Sequence, residues 1–461
     1  MGKHSQARMG AATSEVLLAL SSSGMFQGNR QMQSTSHQKK TKMILKDDGT
    51  SELRVAPHEV GLSVKGLARI STAAQAFIDD RQLAGAVTVV ARRGKVTHLE
   101  AYGMMDLAAN KPMQTDTIFR IYSMTKPIAA AAVMMLCEEG KLQLNAPVST
   151  YLPELGGLKV AAAADAETLT LVEANRDMTV RDLMRHTSGL PGAARYMAGQ
   201  TAVDKRYREE GLHLLHECNL QEMVERLGRI PLLYQPGAKW HYSIAADVLG
   251  RLIEVVSGQP FDVFLSERIF QPLGMVDTGF YVPADKIDRL AGMYGPTSEG
   301  GLQVIDAPEG GTGHVSENSF IEKPKFLSAG GGLVSTAADF SRFCLMLSCK
   351  GVLAGKRLMK TASVELMTHN HLPVHLIPLD KKPDKRYAGL GFGLSVSVRV
   401  QQTDWIPTSQ VGEYGWIGGA STEFWISPRD ELVAITLAQH IPFSELSERI
   451  KPLAYAAILK E

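Results

Sequence analysis

FRIYSMTKPIAAAAVMMLCEEG, residues 119–140, decides how this chain is read. From Ile128 to Cys137 every position is apolar, which predicts a helix enclosed by protein on all sides rather than one lying on a surface. Pro127 fits in its first turn, where a missing N–H costs nothing. Ser123 and Lys126 stand three residues apart at its head, a spacing that places both side chains on one face. Backbone N–H groups at a helix start lack intrahelical acceptors, and the helix dipole there favours negative charge. That suits a serine nucleophile. A lysine at the mouth of so apolar a helix loses hydration, so its pKa is expected to fall toward a value at which it accepts a proton.

The flanking sequence extends this reading. FRIYSMTKPIAAAAVMMLCEEGKLQLNAPVSTYLPEL (119–155), RDLMRHTSGLPG (181–192), PGAKWHYSIAADVLGRLIEVVSGQPFDVFLSERIFQPLGMVDTGF (236–280), LSAGGGLVSTAADFSRFCLML (327–347) and YGWIGGASTEFWISP (414–428) follow one another in order. Together they resemble the serine β-lactamase and penicillin-binding-protein superfamily, most closely the family VIII carboxylesterases. The resemblance spans roughly residues 60 to 460. It implies an α/β, β-lactamase-like fold: an antiparallel sheet flanked by helices, a mostly helical lobe inserted roughly within 125–385, and the active site in the cleft between them.

Residue by residue, the resemblance implies Ser123 as nucleophile, with Lys126 and Tyr242 relaying its proton. A nearby ammonium is expected to favour the Tyr242 phenolate. The strand lining the cleft carries Trp416, Ile417 and Gly418, and the oxyanion hole is the N–H of Ser123 with that of Gly419. Tyr122, Ile244, Trp416, Ile417 and Gly418 are expected to border substrate. Trp416 matches the esterase branch, which carries WGG; Ile417 departs from it and is expected to narrow the cleft. Ile244 stands where the β-lactamase pattern YxN has an amide. No GxSxG occurs, which argues against a strand-to-helix nucleophile elbow, and His186 in RHTSGL reads as part of a structural turn.

Two local patterns agree with the expected fold. GLARISTAAQAFIDDRQL (66–83) repeats apolar residues at three and four and predicts an amphipathic helix; AVTVVARRGKVTHLEAYG (86–103) predicts a β-hairpin turning at Arg93 and Gly94. A second strand pair, STEFWISP and ELVAITLAQ, turns between Pro428 and Glu431, and a closing helix runs from roughly 444 to 459. Strands at both ends with helices between predict one sheet built from the two termini. Residues 281–325 and 368–390 read as loops. The second holds His369, His371 and His375, without the acid or cysteine partners that metal-ligand spacing requires, so neither a metal nor another cofactor is expected.

Composition limits the remaining classes. The 461 residues are 44% hydrophobic and 21% charged with net charge +1, which offers no concentrated basic face for nucleic acid or an acidic membrane. No stretch approaches the length of a membrane span. Cys137, Cys218, Cys344 and Cys349 are scattered and form no disulfide framework. Up to Lys46 the only acid is Glu15, against seven lysines and arginines. Residues 1–55 therefore read as a disordered extension, or as an organellar targeting segment, ahead of one hydrolase domain at 56–461, with a cytoplasmic location expected in the first case. The expected function is a serine carboxylesterase cleaving short-chain neutral esters through an acyl-serine. An acyltransferase, a β-lactamase or a D-alanyl-D-alanine carboxypeptidase are the alternatives on the same site, and a catalytically lapsed scaffold or filament-forming protein is the alternative of another class. Sequence does not give the oligomeric state.

Overall fold

The computed structural model describes residues 50–164, 169–192, 201–306, 320–377, 387–404 and 406–459. Both termini of the described chain build one eight-stranded antiparallel sheet. Its strands are β1 (Gly85–Arg92), β2 (Lys95–Asp106), β3 (Lys111–Pro112), β4 (Leu390–Phe392), β5 (Ser397–Arg399), β6 (Tyr414–Gly418), β7 (Thr422–Ser427) and β8 (Leu432–Ala438). They lie in the order β4-β5-β6-β7-β8-β1-β2-β3, so β1 pairs with β8 across the whole sequence, from Ala86↔Ala438 to Arg92↔Leu432. The two expected hairpins are present, the first turning through Arg93 and Gly94, both at positive φ.

Strand periodicity explains how both faces are covered. On β1 and β8, Ala86, Val90, Leu432, Ala434 and Ala438 face helices α1 (Val64–Asp79) and α5 (Leu446–Ala456), packing with Leu67, Ile70, Ala74, Ile450 and Ala454. The alternate residues Val87, Val89, Val433, Ile435 and Leu437 enter the main core. Burial on both faces is why these strands read as continuous apolar runs. The Ser63 hydroxyl caps α1 by accepting the Gly66 N–H at 3.1 Å. Helix α2 (Thr125–Glu138) is buried from Thr125 through Leu136 and packs against α3 (Ala245–Ser257), which stops at Gly258 with φ 72°.

Three boundaries differ from expectation. Helix α4 (Ala337–Ser348) lies within the range assigned to the inserted lobe, yet it packs on the core face of the sheet, with Phe340 edge-on to Phe424 at 5.3 Å. Residues 50–55 belong to the fold and not to the extension. Thr50 and Leu53 are buried, Arg54 bridges Val96, and the Val55 N–H donates to the Val96 carbonyl at 3.1 Å. The polar composition upstream masked these few anchoring residues; the rest of the extension, 1–49, lies outside the described residues. Finally, the 281–325 stretch includes a ladder, Met293–Pro296 with Leu302–Asp306, while 307–319 and 378–386 of the two expected loops lie outside the described residues. No helix among the described residues is long and apolar enough to cross a membrane.

Candidate active site

A short ladder, Ile118–Arg120 with Val334–Thr336, delivers the chain to the head of α2. Tyr122 there has φ 41°, a left-handed conformation uncommon for a residue with a side chain. A single 3-10 turn, Tyr122–Met124, then lifts Ser123 to the start of the helix, where it remains partly exposed while its neighbours are buried. The turn is held from two sides. The Ile121 N–H donates to the Leu333 carbonyl at 3.1 Å and the Leu333 N–H to the Thr125 hydroxyl at 3.2 Å. Strand β6 presses against it: a Cβ on Gly418 would stand 2.1 Å from the Thr422 hydroxyl and 2.3 Å from the Ile121 carbonyl oxygen, so only glycine fits. Gly419, next along, is exposed and has no neighbour where a Cβ would be.

The three residues expected to act on a proton meet at this point. The Lys126 ammonium, 4% exposed, donates to Ser123 Oγ at 3.1 Å and to the Gly330 carbonyl at 2.5 Å. The Tyr242 hydroxyl donates to Ser123 Oγ at 2.7 Å from 119 residues away in sequence. Lys126 Nζ also lies 4.6 Å from the centre of the Tyr242 ring, within cation–π range. The Tyr242 ring is fixed by aromatic neighbours, His186 at 4.8 Å and Trp416 at 5.8 Å, and Trp416 is itself edge-on to Phe392 at 5.1 Å.

The electrostatics of Tyr242 run opposite to the sequence-based expectation. Burial pushes its phenol up to about 12, and the bond to Ser123 offsets this only in part. Desolvation of a phenolate therefore outweighs the hydrogen bonding that would favour it. Below about pH 12 the phenol keeps its proton, and Ser123 Oγ accepts from both neighbours. The resting arrangement holds one proton more than an attacking alkoxide needs. The expected result is that kcat/KM for a neutral ester rises with pH throughout the range 6 to 10, by up to about tenfold per unit, as a growing fraction of the pair gives up that proton. A background-corrected pH profile checks this; one that stays flat from pH 6 to 10 contradicts it.

His186 does not join the three. It is buried with φ 57°, and its Nδ1 accepts the Ser243 N–H at 3.3 Å; burial, with the Lys126 charge, pushes its pKa well below the usual value. Three residues expected to border substrate are placed elsewhere. Ile244 is 0% exposed in the main core, at the cap of α3, and cannot touch a ligand in the cleft. Ile417 follows Trp416 on a strand, so the two side chains point to opposite faces. Trp416 takes the face of Tyr242, and Ile417 takes that of its register partner Glu423 and of Trp425. It does not narrow the cleft across from Trp416. The Tyr122 ring packs edge-on to Phe320 at 6.0 Å in a satellite core, leaving its main chain beside the site.

Asp247, not anticipated, lies 4% exposed in the first turn of α3. The signal was a lone acid in the apolar run IAADVLGRLI, five residues after Tyr242. Among the described residues no group of three or more His, Cys, Asp or Glu converges on a metal position. In the 369–375 loop, His371 is engaged structurally: its Nε2–H donates to the Leu366 carbonyl at 2.7 Å and its Nδ1 accepts from Arg181 at 2.9 Å.

Comparison with known proteins bears on this geometry. A family model described as Beta-lactamase matches residues 70–454. Protein Rv1367c of Mycobacterium tuberculosis (strain ATCC 25618 / H37Rv) is 35% identical over 365 residues, covering 78% of this chain and 86% of that protein. Esterase EstB of Burkholderia gladioli is 35% identical over 282 residues, 60% of this chain and 68% of EstB. Among solved structures, EstCE1, described as a hydrolase with promiscuous acyltransferase activity, superposes with TM-score 0.70 at 26% identity, covering 85% of this chain and 99% of that one.

Proposed function

This chain belongs to the Beta-lactamase family, and from that premise we propose that it is a serine carboxylesterase cleaving neutral esters through an acyl intermediate on Ser123. The observation that carries the reading is the convergence of Lys126 Nζ and Tyr242 OH on one oxygen, Ser123 Oγ, at the head of a buried helix. The Lys126–Tyr242 pair, having lost one proton to solvent, takes the Ser123 hydroxyl proton as the oxygen attacks the ester carbonyl. The same pair returns that proton to the departing alkoxide, so the bond to the alcohol breaks as the acyl–serine bond forms. A water then repeats the sequence and frees the acid. The N–H groups of Ser123 and Gly419 receive the oxyanion, Gly419 being exposed beside the strand end. Trp416 and Gly418 form the wall along which the ester lies. Neutrality of the substrate is what this site favours; with Ile417 on the far face, nothing here favours a short acyl chain.

Acyl transfer to an alcohol is the second reading, favoured by the activity named for EstCE1. Hydrolysis of p-nitrophenyl esters of graded length, with and without a simple alcohol, separates the two. The proposal expects saturable hydrolysis with free acid as the main product. A dominant new ester would favour transfer, and no turnover of any ester would overturn the proposal.

A further inference from the structure

A buried carboxylate that plays no part in the proposed chemistry stands one residue removed from it. Asp247 Oδ1 accepts two hydrogen bonds from the loop that follows Leu327: from the Ser328 hydroxyl at 2.7 Å and from the Gly330 N–H at 2.8 Å. The carbonyl of that same Gly330 accepts from Lys126 Nζ. The approach is so close that a Cβ on Gly330 would stand 2.8 Å from Asp247 Oδ2 and 3.1 Å from Oδ1. Burial pushes the Asp247 carboxyl up, while the Ser328 bond, the Lys126 charge and the Gly330 N–H pull it back. A buried carboxylate is costly unless its bonds are made. Once they are made, the Gly330 main chain has little freedom left. The Lys126 stem alone leaves its ammonium several rotamers, and the Gly330 carbonyl selects the one that also reaches Ser123.

We propose that Asp247 is a positioning residue for the nucleophile: by fixing Ser328 and Gly330 it places the carbonyl that holds the Lys126 ammonium against Ser123. Asp247 touches neither substrate nor reacting atoms; it acts through Lys126. This rests on the reading of Ser123 and Lys126 as the acyl-transfer pair, and it adds the residue that keeps them in register.

Asp247→Ala and Ser328→Ala test it beside Asp247→Asn, which keeps an oxygen able to accept the same two bonds. The expected result is a fall in kcat of roughly thirtyfold or more for Asp247→Ala, with KM within about threefold. Asp247→Asn should recover most of that loss, and Ser328→Ala should show a smaller loss of the same kind. The decisive reading is a double-mutant cycle on the rate at which a fluorophosphonate modifies Ser123. In the Lys126→Ala background, Asp247→Ala should add nothing, since there is no ammonium left to place. If the Asp247→Ala loss persists undiminished there, if Asp247→Asn is no better than Asp247→Ala, or if kcat is unchanged, the inference is overturned. Should Asp247→Ala fail to fold, Asp247→Asn and Ser328→Ala in the two backgrounds carry the same comparison. Wild-type protein unmodified at Ser123 would instead overturn the acyl-enzyme reading itself.

Discussion

Lys126→Ala and Tyr242→Phe should each lower kcat/KM for a neutral ester by roughly a thousandfold or more, the effect of removing a positioned proton-transfer group. Tyr242→Phe is the cleaner of the two. It keeps the ring that packs on His186 and Trp416 and removes only the oxygen lying 2.7 Å from Ser123 Oγ, so the melting temperature should change little. Lys126→Ala also empties part of a buried site, and some loss of stability should accompany the loss of rate. Steady-state kinetics with thermal melts of both variants makes the check. Near wild-type turnover in either would show that the proton takes another route.

Specificity for p-nitrophenyl butyrate should exceed that for benzylpenicillin by about a thousandfold, equivalent to about 4 kcal/mol in the transition state. A β-lactam brings a carboxylate that needs a cation or a free hydroxyl in a water-poor site. The strand wall offers the Trp416 indole and glycine. Thr422, the hydroxyl pressed against Gly418, is fully buried and donates to the Ile121 carbonyl at 3.4 Å, so it is not presented to a ligand. An unpaired carboxylate buried there costs several kcal/mol, whereas each methylene of a neutral acyl chain contributes about 0.8 kcal/mol. Neither Ile244 nor Ile417 enters this argument, because neither faces the cleft. Comparable specificity constants for the two substrates would show that a cation elsewhere meets the carboxylate.

Much of the fold was legible because it is written in local periodicity. The alternation of β1 and β8, the repeat of α1 and the unbroken apolar run of α2 each record which neighbours the residues have. Ser123, Lys126 and Tyr242 were found because they sit in motifs bound to those elements. What was misread concerns direction across elements. Trp416 and Ile417 are adjacent on a strand, so strand geometry already forbids both from facing one cleft, but only the position of Tyr242 says which one does. Ile244 falls at a helix cap, where neither helix nor strand period applies. Residues 50–55 anchor through Thr50 and Leu53, too few side chains to stand out from a polar background. The rise in the Tyr242 pKa and the bonds of Asp247 depend on burial and on the 327–333 loop, about 80 residues away along the chain, which no motif encodes.

The central claim is that Ser123 carries the acyl group, and intact-mass and peptide mass spectrometry after fluorophosphonate labelling test it most directly. Two other serines in the family-like blocks are set apart by the fold: Ser188 is 0% exposed, and Ser421 is 3% exposed with its hydroxyl bonded to the His440 carbonyl and to the Ser444 N–H. The account predicts one adduct per chain, on the peptide containing Ser123, and none in Ser123→Ala. An adduct on Ser188 or Ser421, or a wild-type protein that takes up no label, would contradict it.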